Sequence, residues 1–322
     1  MIALVLALAA GIGLDFFLGD PRNRYHPVAW IGNLIAKAIP RLKTGSPRSE
    51  LLSGAIFAVA IVAATGFAAH FLAYAGAYLA GAFALAVVSA VMLKLTIAVR
   101  GMERHALKIM ECLEQGDLPG ARSNLAMIVR RNTNGLSEQH VLSATIECIS
   151  ESTVDGITAP IFYFSLFGPA GAVAYRTINT LDSMVGYKDD FFRDIGWMSA
   201  RLDTLANYLP ARLTAFIMII SAKMIGADWV NSLRMLQRDR AKTFSPNAGY
   251  PMATMAGALR IRLEKVGHYS LGDEQEPASL AKCHAAIRIM KLTTLLFSLV
   301  VSLPVISLLY LNGWWRVLFG IN

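Results

Sequence analysis

Glu147, Glu151 and Asp155 stand at four-residue intervals in the chain. On a helix that spacing puts the three carboxylates on one face, where they repel one another unless a cation or a basic partner compensates. Two chemistries fit: a magnesium site, since that ion takes a few carboxylates together with phosphate oxygens, or a base positioned to receive a proton from an amine. A solvated helix face paired with Arg or Lys fits the same spacing. The apolar stretch that follows, residues 157–175, sharpens the choice, because acidic groups near membrane depth need a partner or a task.

A second dense group is NTLDSMVGYKDD at 179–190. Arg176, Asn179 and Ser183 share a helical face with Asp182 close by, and Gly186 ends the turn before Tyr187 and Lys188. GWMSARLDTLANYLPAR at 196–212 then brings Arg201, Asp203, Asn207 and Arg212 just ahead of another apolar segment. Arg and Lys here can grip phosphate or carboxylate oxygens, Arg in a bidentate way. Interfacial anchoring and ordinary ion pairing are the alternatives.

Two loops complete the candidates. In SPNAGYP, residues 245–251, Pro246, Asn247 and Gly249 make a tight turn before a helix expected to start near Pro251. Such a helix start is a natural anion site, and a plain capped turn has the same sequence. GDPRNRYHP at 19–27 places Asp20, Arg22, Arg24 and His26 in a proline-bounded loop, where a lone His26 reads as structural. No Walker loop or GxGxxG occurs. The histidines and the cysteines Cys112, Cys148 and Cys283 form no zinc spacing, and the cysteines read as reduced, partly buried thiols.

The elements that must position these groups are greasy. The chain has 322 residues, 55% hydrophobic and only 16% charged, against roughly a quarter charged in soluble domains. Its mean hydropathy is +0.48. No Asp, Glu, Lys or Arg occurs from Leu51 to Leu93 or from Leu292 to Trp315, and a membrane crossing needs about 20 apolar residues. Spans are therefore expected near 1–18, 51–72, 76–95 and 292–311, with a tight hairpin near Tyr74–Tyr78 and Trp314–Trp315 at a membrane–water interface. The N-terminal stretch lacks a basic n-region and reads as a retained first span. Residues 157–175, broken by Pro160 and by Gly168-Pro169, and 213–227 are interrupted or uncertain spans, which lipid tolerates only where protein or a water-filled cavity covers the freed backbone.

The net charge of +8 does not imply nucleic acid, because the basic residues lie between apolar spans and set loop orientation instead. The regions 19–50, 94–131 and 228–291 are accordingly expected in the cytoplasm. Residues 96–118 and 121–130 read as helices outside the bilayer, and His140–Asp155 as a helix stopping at Gly156. The expected fold is all-α: one polytopic helical membrane domain over 1–322, with cytoplasmic helical loops and re-entrant helices around a polar pocket. From residues alone, that description suits a transporter as well as an enzyme.

Taken in order, GDP and HP at 19–27, ATIECISESTVDGITAP at 144–160, NTLDSMVGY at 179–187, FRDIGWMSARLDTLANYLPARLTA at 192–215 and SPNAGYP at 245–251 make the chain resemble the CobD/CbiB family, the adenosylcobinamide-phosphate synthases of cobalamin biosynthesis. Thr204 stands where an acidic residue is expected in many relatives, so no acid or metal role is carried onto it. The resemblance implies an amide-forming carbon–nitrogen ligase that joins adenosylcobyric acid to aminopropanol or its phosphate, using ATP and Mg. Motif position and chemistry then assign Glu147, Glu151 and Asp155 as catalytic carboxylates for magnesium or amine handling, with Asp182 a further catalytic carboxylate. Arg176, Lys188, Arg201 and Arg212 would contact phosphate or propionate, and Asn179, Ser183, Tyr187 and Asn247 would orient corrin amides. The resemblance further implies a place in the cytoplasmic (inner) membrane with the site facing the cytoplasm, the lipid bilayer and other late-pathway membrane enzymes as partners, and no nucleic acid. The competing expectation is a non-catalytic corrinoid transporter or a membrane tether for those enzymes.

Overall fold

The computed structural model describes residues 1–21 and 23–320; Arg22, among the candidates above, lies outside them. The chain is helical almost throughout. In order it forms α1 (Ile2–Leu18), α2 (Pro27–Leu42), α3 (Pro47–Lys94), α4 (Val99–Glu114), α5 (Leu118–Ala126) and α6 (Glu138–Thr153). A π-turn at Val154–Thr158 leads into α7 (Ala159–Phe167), α8 (Pro169–Val185), α9 (Trp197–Ala206), α10 (Tyr208–Met224), α11 (Trp229–Asp239) and α12 (Gly249–Leu259). A short hairpin of β1 (Leu263–Lys265) and β2 (Tyr269–Leu271) precedes α13 (Leu280–Phe297), α14 (Leu303–Leu311) and α15 (Trp314–Phe319). Among the described residues two helical stretches are long and apolar enough to cross a membrane, Pro47–Glu114 and Leu280–Leu311, or three if α9 and α10 count together.

The single expected domain divides into two compact units, one made of Met1–Ala98, Ala159–Asn207 and the segment from Ser298 onward, the other of Val99–Thr158 and Tyr208–Phe297. In the first unit α3 breaks at Ala80 and Gly81, where Gly81 takes φ 70°. A methyl on Gly76 would come within 3.4 Å of Val88, so the chain doubles back there. The expected hairpin exists, several residues later than Tyr74–Tyr78. The run of Gly and Ala makes the turn illegible locally, because only a φ above zero singles out Gly81.

Helix α1 lies on the second limb of α3, with Gly11 close enough that a methyl would meet the Ala90 carbonyl at 3.0 Å. The first limb, α2 and α8 close around Ile35, Ile39, Ala58, Ile61, Leu181, Val185 and Ile195. Gly54 permits this: a Cβ there would stand 2.1 Å from the Ile195 carbonyl oxygen. Large apolar side chains such as Phe67, Phe71 and Phe83 remain exposed on α3, a surface that suits contact with lipid.

Three local expectations shift in this unit. Region 19–50, read as a loop, holds the 16-residue helix α2, capped by His26, whose Nδ1 accepts from the Val28 amide. Pro160 does not break the 157–175 stretch; it sits in the first turn of α7, and the break falls at Gly168, φ 64°. The tryptophans are not a free interfacial pair either. Trp315 is 1% exposed and donates to the Ile306 carbonyl, while Trp314 donates to that of Leu166, because a buried indole N–H requires an acceptor.

The second unit is built around α6, against which α4, α5, α12, α13 and β1 pack. Helix α6 does not stop at Gly156 as expected; it relaxes into the π-turn, where Thr158 Oγ1 donates to the Thr153 carbonyl at 2.9 Å and meets Thr214 Oγ1 at 2.6 Å. Helices α11 and α12 lie together with no room for a methyl on Gly257, 2.6 Å from the Asn231 carbonyl oxygen. The hairpin, absent from the all-helical expectation, pairs Leu263 with Leu271 and Lys265 with Tyr269. Asp239 ties it down. Its buried carboxylate accepts from the Gly272 amide at 2.7 Å and pairs with Arg238 and Lys242.

Candidate functional site

In the first unit α8 and α9 bring five polar side chains together. The Tyr175 hydroxyl donates to Asn207 Oδ1 at 2.7 Å, and Asn207 Nδ2 donates to both Asp203 oxygens at 3.1 Å. Asn179 also hydrogen-bonds the Asp203 carboxylate, and Arg176 donates to Asn179 Oδ1 at 3.3 Å. Tyr175, Asn179 and Asn207 are buried. The Tyr163 ring stacks on Tyr175, centroids 5.3 Å apart, and its hydroxyl donates to the Ala206 carbonyl. Helical spacing puts Asp203 and Asn207 one turn apart, as it does Arg176 and Asn179. Packing of α9 on α8 then joins the two pairs. The result is a carboxylate, two amides, a phenol and a guanidinium in one buried network, groups suited to a ligand rich in amides and carboxylates.

The other expected residues of this stretch make contacts of their own. Asp182 folds over the end of its own helix, so that a methyl on Gly186 would lie 2.1 Å from its Oδ1. The Tyr187 hydroxyl turns back to the Ser183 carbonyl at 2.6 Å. Ser183, Lys188 and Arg201 are exposed, Arg201 with its guanidinium 5.7 Å from the Trp197 ring centroid. A separate ionic knot joins Asp20 to Lys94 at 3.1 Å and to His26 at 3.6 Å. Burial pushes the Asp20 carboxyl up, but hydrogen bonds and charge from His26 and Lys94 outweigh it and hold the group below its ordinary value.

In the second unit Glu147 is buried and paired, with Arg131 at 2.9 Å and the Tyr269 hydroxyl at 2.9 Å. Burial first, then the Glu147 charge, raises the Tyr269 phenol well above its ordinary value. Neighbouring Cys148 is pushed up to about 12 by burial and by Glu151 and Glu147, which makes it an inert thiol. Glu151 is exposed, and Asp155 lies in the π-turn, a distortion frequent at functional sites. Among the described residues no group of three or more His, Cys, Asp or Glu is arranged to hold a metal ion. The expected three-carboxylate magnesium site is therefore not preformed. The π-turn and the Arg131 pairing, neither visible in a four-residue spacing, account for that.

The SPNAGYP loop forms a second cationic cluster of this unit. Asn247 is buried and accepts from Arg212 Nη1 at 3.2 Å. The Arg212 guanidinium stands 3.5 Å from the Tyr208 ring centroid and 4.4 Å from that of Tyr250. Arg240 approaches Tyr250 from 6.0 Å. Gly249 is required for the bend, since a Cβ would sit 2.1 Å from the Arg240 carbonyl oxygen. Helix α12 begins at Gly249, two residues ahead of the expected Pro251. Two arginines over aromatic faces form a ready acceptor for an anion.

Sequence spacing had singled out Arg176, Asn179, Arg212 and Asn247, and the fold places each in a polar cluster. Tyr175 passed as part of an apolar run, and Asp203 and Asn207 as neighbours of the basic residues. Their mutual i, i+4 spacing was the one signal for them.

A sequence profile of the family described as CobD/Cbib protein matches residues 8–296. The probable cobalamin biosynthesis protein CobD of Methanothermobacter thermautotrophicus is 39% identical over 295 residues, 92% of this chain and 96% of the relative. The cobalamin biosynthesis protein CobD of Pelobacter propionicus is 37% identical over 95% of both chains. That of Leptospira interrogans is 41% identical over 82% of this chain and 83% of its own. No solved structure matches the chain.

Proposed function

The chain belongs to the CobD/CbiB family, and from that premise we propose that it works in cobalamin biosynthesis as an amide-forming ligase, converting adenosylcobyric acid to adenosylcobinamide or its phosphate. The observation that carries the reading is the α8–α9 network. Residues of two family-like stretches, Asn179 of NTLDSMVGY and Asp203 and Asn207 of RLDTLAN, meet there inside an apolar unit. A corrinoid fringed with amides and carboxylates offers the donors and acceptors such a network needs.

An unactivated carboxylate does not condense with an amine in water. ATP would phosphorylate one corrin propionate, releasing ADP. The amine nitrogen of aminopropanol or its phosphate then attacks the acyl carbon, the C–N bond forms, and phosphate leaves with the C–O electron pair. The amine's proton passes to a carboxylate, for which Asp203 joins Asp182, Glu147, Glu151 and Asp155 as a candidate. Arg176 in the network is proposed to hold propionate oxygens, and Arg212 over its aromatic faces is a separate candidate for a phosphate contact. Magnesium is expected with the phosphates of ATP. The carboxylates in place do not form a site of their own for it, and no step is assigned to the ion. The reading puts the protein in the cytoplasmic membrane with 177–209 facing the cytoplasm, where ATP is made.

The test supplies membranes carrying the protein with adenosylcobyric acid, ATP, magnesium and aminopropanol phosphate. Amide product that depends on ATP is the expected result. Binding or uptake of the corrinoid without product would replace the enzyme with a transporter or tether. Replacing Asp182 by Asn is expected to abolish product with insertion retained, and near-normal turnover removes Asp182 from the chemistry. A cysteine placed at Tyr187 and labelled only from the far side of the membrane would refute the cytoplasmic orientation.

A further inference from the structure

The first turns of α11 are reversed. A helix on a water-soluble surface turns its apolar stripe inward. Here Asn231 and Ser232 point inward, Asn231 donating to the Gly257 carbonyl at 2.9 Å and Ser232 to that of Thr254 at 2.8 Å; farther along, Met235 and Asp239 are buried as well. The outward residues of its first turns are Trp229, Val230 and Leu233, at 39%, 58% and 40% exposure. The preceding helix continues the pattern. Phe216, Ile220 and Met224, spaced four apart along α10, are exposed at 63%, 36% and 61%. Lys223 links the two helices, its Nζ 5.0 Å from the Trp229 ring centroid.

We infer that this corner of α10 and α11 is a lipid-contacting surface, with Phe216, Ile220, Met224, Val230 and Leu233 against acyl chains and Trp229 with Lys223 at the headgroup boundary. A tryptophan capped by a lysine on an apolar stem suits that layer, where one end of each side chain is greasy and the other wet. Farther along α11 the exposed face becomes polar, with Gln237 beside Arg234 and Arg238, both paired with Asp273, so the helix passes from apolar contact to a wet surface. The Lys223 charge argues against a second copy as the occupant. A two-fold interface places a patch on itself, and would bring Lys223 of both copies together. Arg238 apart, which pairs with Asp239, the surface lies outside the ionic and aromatic clusters described above, and its argument is independent of the catalytic reading.

Nitroxide labels test it in the full chain, with Cys112 and Cys148 replaced by Ser and the buried Cys283 kept. Val230→Cys and Leu233→Cys report the apolar turns and Gln237→Cys the polar end, in phospholipid vesicles with and without an anionic lipid. Collision with oxygen relative to a water-soluble nickel chelate is expected to be several-fold higher at 230 and 233 than at 237. Equal accessibility at the three positions overturns the assignment. So does spectral broadening at 230 that vanishes on dilution with unlabelled protein, which identifies a second copy. An unlabelled readout covers variants that fail to fold. The fluorescence lost in Trp229→Phe should be the component quenched by lipids brominated on the acyl chain, and an unquenched component would refute the contact.

Discussion

Asn207 is held from both ends: its Nδ2 donates to the two oxygens of Asp203 at 3.1 Å, and its Oδ1 accepts from the Tyr175 hydroxyl at 2.7 Å. The amide orientation is thereby fixed by chemistry, since only the nitrogen can serve a carboxylate and only the oxygen a hydroxyl. This contact ties α9 back to α8 and holds the Asp203 carboxylate in a set direction.

Asn207→Ala should therefore lower both stability and turnover. Each buried group left without a partner costs about 1–3 kcal/mol, so a thermal midpoint several degrees lower is expected in detergent. Tyr175→Phe removes one end of the same chain and should cost less. The double variant should fall short of the sum of the two by roughly 0.5–3 kcal/mol, the coupling found for residues of one network. Strict additivity would mean that the amide does not connect them.

The pairing of Glu147 with Arg131 separates structure from chemistry in α6. Arg131→Met strands a buried carboxylate and should destabilise by about 3–5 kcal/mol. Adding Glu147→Gln removes the charge and should restore most of the loss, as read by chemical denaturation. If Glu147 takes part in the reaction, that double variant folds and makes no amide. Wild-type product from the stable double variant would assign Glu147 to the fold alone.

Asp239 gives a pH dependence with a definite sign. Burial raises its carboxyl, but Arg238, Lys242 and the Gly272 amide outweigh burial and hold it at about 2 in the folded chain, against about 3.9 when unfolded. Its contribution is thus fully present above the unfolded value and is lost as pH falls towards the folded one. The stability difference between the wild type and Asp239→Asn should be constant near neutrality and shrink from about pH 4 to about pH 2. A difference unchanged across that window would show that Asp239 is not held ionised by its partners.

Local pattern accounts for what was legible. Apolar run length marked the charge-free stretches 51–93 and 292–315, which overlap the helical stretches Pro47–Glu114 and Leu280–Leu311, because a helix satisfies its own backbone and needs only a suitable surface. Gly186, Gly168-Pro169 and the asparagine–glycine turn before α12 marked real boundaries, since φ preferences act within a residue or two. Helix α2 and the β hairpin went unseen. The first reads as a basic loop when only charges are counted, and the second is too short to show alternation.

By itself the sequence determined that this is an all-α chain of the CobD/CbiB family with long apolar helices, and which short stretches carry its polar groups. Those properties rest on side-chain periodicity and on residue order, both readable along the chain. Only the tertiary structure decided the partners. Tyr175 meets Asn207 across 32 residues, Glu147 meets Tyr269 across 122, and Asn231 and Ser232 of α11 turn inward because Gly257 and Thr254 offer carbonyls there. Each pairing comes from helices packing at long range, where a buried polar atom takes whatever acceptor the neighbouring helix presents. No spacing within one helix records that choice.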